Sequence, residues 1–228
     1  MHILVIADDI WHPAEVIRRG LAAFPDKDVS FDMVCTAKDI LTPEMLHAYP
    51  IVMICKGDCI NAANSAPWFE EGVTEVGPGE LRQYVEDDGN LLVIHAGCDV
   101  NPEWLPHEEK FRQPCRDYID LIGCHFVNHP SRCAVTVRPT GSHPLTEGVQ
   151  PFTCRDEHYI IELVADEITP ILETESEPGG RQLGGYIRNV GEKGGKIVLY
   201  TPGHTLSVWQ NENWQRLLQN TIKYLTKE

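Results

Sequence analysis

Asn90-Leu91-Leu92-Val93-Ile94-His95-Ala96-Gly97 reads as a buried strand that runs straight into a tight turn. An unbroken apolar run, without polar alternation, suits a strand covered on both faces, as in a parallel sheet. The small residue and the glycine after His95 allow an elbow that lifts one side chain above the sheet and aims backbone N–H groups at the same spot. Nucleophilic enzymes place Ser or Cys at such a point. This chain places His95 there, and Cys98 three residues on points elsewhere.

Outward from that strand, the same pattern recurs. Ile3 to Ala7 is a continuous apolar run, followed by a helix that starts near Pro13 and carries Val16, Ile17, Leu21 and Phe24 at helical spacing. Val29 to Cys35 and Ile51 to Cys55 are further strands. Thr42-Pro43-Glu44 is an N-cap with proline in the first turn, and Gly79 to Asp88 is a helix closed by Gly89. This order predicts an α/β fold with a doubly wound, mostly parallel sheet and helices on both faces. The second half adds short antiparallel strands at Cys133 to Arg138, His158 to Leu163, Ile168 to Glu173 and Gln182 to Ile187, with a turn or hairpin tip at Glu175 to Gly180. Lys196 to Tyr200 is another buried strand. The last helix presents Trp214, Leu217, Leu218, Ile222 and Leu225 on one face. Without a linker or repeat, residues 1–228 read as a single domain. Trp104, Trp209 and Trp214 suit either the core or a dimer contact.

Composition narrows the function. Of 228 residues, 42% are hydrophobic and 23% charged, enough for a substantial core. The net charge is −15, from 19 basic and 34 acidic residues, which argues against nucleic-acid binding. No apolar run is long enough for a membrane span, and the N-terminal run turns acidic too soon for a signal peptide. The eight cysteines then read as reduced thiols of a cytoplasmic protein.

Open α/β sheets keep their chemistry at the C-terminal ends of their strands. Tyr200-Thr201-Pro202-Gly203-His204-Thr205-Leu206-Ser207 therefore puts His204 beside His95 in this respect, with Gly203 allowing the turn. Asp8-Asp9-Ile10-Trp11-His12-Pro13 follows the first strand on the same side, so His12 and Trp11 are candidate pocket residues, while Asp8 and Asp9 read as polar loop residues. Lys56 closes the third strand and is a candidate for a polar rim. Arg155-Asp156-Glu157-His158-Tyr159 gathers ionisable groups. Glu157 is the candidate base or ligand there, and Asp156 and His158 read as the solvated start of a strand. Cys124, His125, His129 and Cys133 have metal-like spacing but straddle a strand and a proline, so a closed zinc site is discounted and His129 alone is retained.

Taken in order, Leu92-Val93-Ile94-His95-Ala96, Tyr118-Ile119-Asp120-Leu121-Ile122-Gly123 through His129-Pro130, Ser142-His143-Pro144-Leu145, Asp156-Glu157-His158-Tyr159 and Gly203-His204-Thr205 with Val208-Trp209 resemble the ThuA-like (trehalose utilisation) family of the class I glutamine amidotransferase-like superfamily. The resemblance implies a flavodoxin-like sheet. It puts His95 where glutaminases carry cysteine, and Leu206 where their triad acid stands, so glutaminase activity is not expected. It implies an enzyme of carbohydrate catabolism acting on sugars or 3-keto disaccharides or glycosides. A ketone acidifies the neighbouring C–H, which a base can remove while an acid or ion holds the enolate oxygen. Glu157 or His129 is then the base, and His95 and His204, joined by His12, bind a divalent ion or the oxyanion. The metal set is His95, His129, Glu157 and His204, suited to zinc or manganese. The catalytic set has the same members, and His12, Trp11, Lys56 and Tyr159 contact the sugar. No nucleotide cofactor is expected, and a homo-oligomer is. Two alternatives stand beside this: a non-catalytic sugar-binding or partner protein on the same fold, and a hydrolase using Cys98.

Overall fold

The computed structural model describes residues 1–57, 74–100, 115–191 and 194–226. Asp58, Cys59, Trp104, Glu192 and Lys193 lie outside them. Eleven strands and seven helices lie in the described residues, strands and helices interleaving up to β4 and strands following one another from β5 to β11. The strands are β1 (His2–Ile6), β2 (Ser30–Val34), β3 (Ile51–Ile54), β4 (Asn90–Ile94), β5 (Cys124–Asn128), β6 (Cys133–Pro139), β7 (Phe152–Asp156), β8 (Ile160–Leu163), β9 (Thr169–Ser176), β10 (Gly180–Asn189) and β11 (Lys196–Tyr200). The helices are α1 (Ala14–Ala22), α2 (Ala37–Ile40), α3 (Pro43–His47), α4 (Pro78–Glu86), α5 (Arg116–Ile122), α6 (Leu206–Trp209) and α7 (Glu212–Leu225).

Nine strands form one sheet in the order β2-β1-β3-β4-β11-β10-β9-β6-β7. From β2 to β11 all pairs are parallel, in the flavodoxin-like order with β11 as the fifth strand. From β10 to β7 the pairs are antiparallel, as the second half of the sequence predicts. β5 and β8 form a separate antiparallel ribbon. Neither β5 nor β7 stands out as an apolar run, because each exposes residues along its length. Pairing rather than burial defines them.

Alternate residues of the parallel strands feed two cores, following the two-residue period of a strand. Ile3, Val5, Met53, Leu92, Ile94, Val198 and Tyr200 pack with α1, α6 and α7. Leu4, Ile6, Val52, Leu91, Val93 and Leu199 pack with α4 and α5 on the other face. Trp209 and Trp214 are fully buried in the first core, which settles them as packing residues. All five residues expected on the inner face of α7 are buried, and Asn211 caps the helix by accepting from the Asn213 and Trp214 N–H groups. Thr42 caps α3 from the Met45 N–H, with Pro43 in the first turn.

At Gly20, α1 passes so close to Trp209 that an added Cβ would sit 2.4 Å from the Trp209 Cβ. Ala in place of Gly in a helix normally stabilises by about 0.5–1 kcal/mol. Here the overlap, with an overpacking cost of about 1–3 kcal/mol, outweighs that gain. Gly20→Ala is therefore expected to lower the melting temperature, and an unchanged or raised value would contradict the packing described.

Candidate active site

Loops leaving the C-terminal ends of β1, β4 and β11 converge with the segment after β7. His95 opens a 3-10 turn, His95–Cys98, directly after β4 and has φ +49°, a left-handed conformation uncommon for a non-glycine residue. Strain of this kind persists where surrounding structure enforces it. Here the His95 Nδ1–H donates to the Thr201 carbonyl at 2.7 Å, which fixes the tautomer and leaves the Nε2 lone pair inward. Burial pushes the His95 imidazole down to about 4, with His12 and His204 beside it also opposing a charge, although contact with Glu157 works the other way. Its ring is thus neutral at physiological pH. Histidine-resolved NMR should show it unprotonated until about pH 4, and titration near 6.5 would refute this geometry.

Glu157 Oε2 is the meeting point. It lies 3.0 Å from His204 Nδ1, 3.5 Å from His95 Nε2 and 3.6 Å from His129 Nε2. The His95 and His204 nitrogens are nonetheless buried without a hydrogen-bond partner among the described residues, so their approach to the carboxylate lacks hydrogen-bond alignment. Burial works against the Glu157 charge, yet the neighbouring His204 holds its carboxyl below the usual carboxylate range. The other oxygen, Oε1, accepts from Arg132 Nε at 3.2 Å.

His12 completes the cluster. Its Nδ1–H donates to Asp9, 2.8 Å from Oδ1 and 2.9 Å from Oδ2, and its Nε2 accepts from the Tyr159 hydroxyl at 3.3 Å. Burial opposes a charge on His12, but the hydrogen bond and charge of Asp9, with Glu157 and Asp99 further off, raise its pKa. Asp9 in turn accepts from the N–H groups of Trp11, His12 and Gly57, which tie the loops after β1 and β3 together. A carboxylate behind an imidazole orients the ring and makes its other nitrogen more basic.

His12, His95, Glu157 and His204 each offer one ligand atom, and these atoms all lie within 4.8 Å of one another. Two donors about 2.0–2.1 Å from a tetrahedral zinc are roughly 3.3 Å apart. The contacts of 3.0 and 3.5 Å on Glu157 Oε2 fit that spacing, and the two unpartnered buried nitrogens are the donors such an ion would take. A cavity of about 510 Å³ opens above the cluster, lined by Trp11, Phe126, His129, Arg132 and Tyr159 among others.

A family model for ThuA, trehalose utilisation, matches residues 6–225. The chain belongs to the ThuA family. Solved structures agree on the fold. A putative ThuA-like protein from Bacteroides uniformis superposes with a TM-score of 0.69 at 12% identity, over 100% of this chain and 92% of that one. Another from Parabacteroides merdae gives 0.69 at 14% identity, with coverage of 100% and 92%. A β-galactosidase from Rahnella sp. R3 gives 0.65 at 12% identity, over 97% of this chain but 31% of that one. No curated protein matches the sequence. No helix among the described residues of this ThuA-family chain is long and apolar enough to cross a membrane.

Against the sequence expectations, the structure brings His95, Glu157 and His204 together and replaces His129 by His12 in the ligand-spaced set. Tyr159 packs against both rings, its centroid 3.8 Å from that of His95 and 5.6 Å from that of His129. His129 lines the cavity instead, its Nδ1–H donating to the Pro130 carbonyl at 2.8 Å and leaving Nε2 as an acceptor. Trp11, 52% exposed, and Tyr159 also line the cavity. Lys56 is buried and is not among the described residues lining it, so its expected place at a rim is corrected.

Three further expectations are overturned. Asp9 is buried in the bonds described above. Asp156 is also buried, accepting from Gly203 N at 2.9 Å and Thr205 N at 3.0 Å, so it clamps the residues on either side of His204. His158 is enclosed between the hydroxyls of Ser176 at 2.6 Å and Thr174 at 3.0 Å. Each acid reads as solvated in the sequence because its satisfying N–H groups include distant ones. The Cys98 thiol is fully buried beside Cys124, and that contact and burial push it well above the ordinary range; it is not among the described cavity-lining residues. The seven described cysteines are free. Arg132, Asp99 and Phe126 join the cavity without having been singled out in the sequence. Only the Asp9-x-x-His12 spacing offered a local signal that was missed.

Proposed function

We propose that the protein is an enzyme of carbohydrate catabolism that acts on a sugar or 3-keto glycoside by metal-assisted acid/base chemistry, without glutaminase activity. The observation that supports it best is the buried quartet His12, His95, Glu157 and His204 beneath an open cavity. Family membership supports the sugar. The chain carries imidazole at the elbow and Leu206 two residues after His204, which leaves no thiol–imidazole–acid arrangement there.

The quartet would hold zinc or manganese. Such an ion, when bound, polarises a carbonyl oxygen and stabilises the negative charge of an enolate. Glu157 is committed to the imidazoles and Arg132, so His129 is the base. Its Nε2 takes the proton from the carbon beside the ketone; as the enolate collapses to a C=C bond and the C–O bond to the leaving group breaks, that proton passes to the departing oxygen. Asp9 keeps His12 in the tautomer with Nε2 inward, and Thr201 does the same for His95. Trp11 offers an apolar face to a sugar ring.

Elemental analysis of the purified protein, joined to a screen of 3-keto glycosides and their parent sugars, tests this. About one zinc or manganese per chain, lost in His204→Ala together with turnover of a keto-glycoside, is the expected result. Protein that neither retains an ion nor changes any of these sugars would remove the proposal.

A further inference from the structure

Arg132 directly precedes β6 and lines the same cavity as His129 and Glu157. Its Nε donates to Glu157 Oε1, and half of its side chain stays exposed. Among the described residues Nε–Glu157 is its one hydrogen-bond or ion-pair contact, and none of them engages Nη1 or Nη2. An arginine tethered through Nε retains a planar fork of donors, and that fork matches an oxyanion. The other cavity groups have different tasks: His95 and His204 face Glu157 Oε2 within the quartet, and His129 turns its Nε2 toward the same oxygen at 3.6 Å.

We infer that Arg132 is a specificity-determining residue that recognises an oxyanion substituent, carboxylate or phosphate, on the sugar. The inference rests on the carbohydrate reading above. The separation is short, because Arg132 and the imidazoles contact opposite oxygens of one carboxylate. The oxyanion therefore belongs on the reacting ring itself and not on a distant second sugar. The favoured substrate is an acidic sugar, even though the protein as a whole carries a net charge of −15. Local donors, not the overall field, decide recognition at this range.

The test measures binding of glucose, glucuronate and glucose 6-phosphate to zinc-loaded wild type, R132Q and R132K by ligand-observed NMR. One of the two anions should bind wild type at least about tenfold more tightly than glucose, since bonds to a charged group carry that much. Which anion it is identifies the source of the oxyanion. The advantage should vanish in R132Q and shrink at least about threefold in R132K, which keeps the charge without the fork. Should R132Q fail to fold, R132K carries the test. Equal binding of all three sugars by wild type, an advantage that survives in the variants, or no binding at all overturns the role of Arg132. Ion content measured on the same samples speaks separately to the proposed function: an ion present without anion preference rejects Arg132 alone, and an ion absent rejects the site as read.

Discussion

Replacing Glu157 by glutamine is expected to weaken divalent-ion binding at least about a hundredfold, close to 3 kcal/mol. Groups that merely orient a metal ligand already cost about ten- to a hundredfold when removed. Glu157 Oε2 is nearer the centre than that: it touches His204, His95 and His129 within 3.0 to 3.6 Å. An amide keeps the shape but loses the charge, and it turns a donor toward nitrogens that need an electrophile. Arg132 also loses its anion, which leaves a second positive charge beside the ion. Competition with a chelating dye measures the affinity, and a value within threefold of wild type would count against the assignment. Turnover should fall at least in proportion.

Gly203→Ala should lower stability by about 3 kcal/mol. Gly203 has φ +139°, which L side chains rarely adopt. Backbone strain of this type costs about 1–3 kcal/mol. An added Cβ would also lie 2.9 Å from Ile94 Cγ2 and 3.3 Å from the His95 Cβ, an overpacking cost of a further 1–3 kcal/mol. For a chain of this size the sum corresponds to a melting temperature lower by about 6–12 °C. The clash falls on Ile94 and the added Cβ also presses on the His95 Cβ, so ion affinity should fall with stability. A melting temperature within 2 °C of wild type, or normal ion binding at lowered stability, would show that the loop yields without moving the imidazoles.

The parallel half of the sheet was legible because β1, β3, β4 and β11 are apolar runs whose identity depends on local sequence alone. His95 and His204 were legible for the same reason, as residues at strand ends. The remainder of the site depends on long-range pairing. Asp9 and Asp156 look like solvent-facing acids until Gly57, Gly203 and Thr205 bring their N–H groups from elsewhere in the chain. His129 and His12 could not be ranked without the distances that place the His12 ring, and not that of His129, among the ligand-spaced atoms. Lys56 sits at a strand end as expected, but a strand end does not specify how deeply the following loop is covered. Arg132 carried no local mark at all.

In the sheet order, β10, β9 and β6 separate β7 from β11, yet Asp156 at the end of β7 bonds to the loop that follows β11. The antiparallel half must coil back over the parallel half to make that junction. The four clustered side chains are therefore supplied at positions 12, 95, 157 and 204, and Glu157 joins the others only when this return is complete. An ion held by all four would report on assembly already finished rather than template it early. Splitting the gene product near its middle would strand two donors on each fragment, and neither fragment alone would compete with a simple chelator.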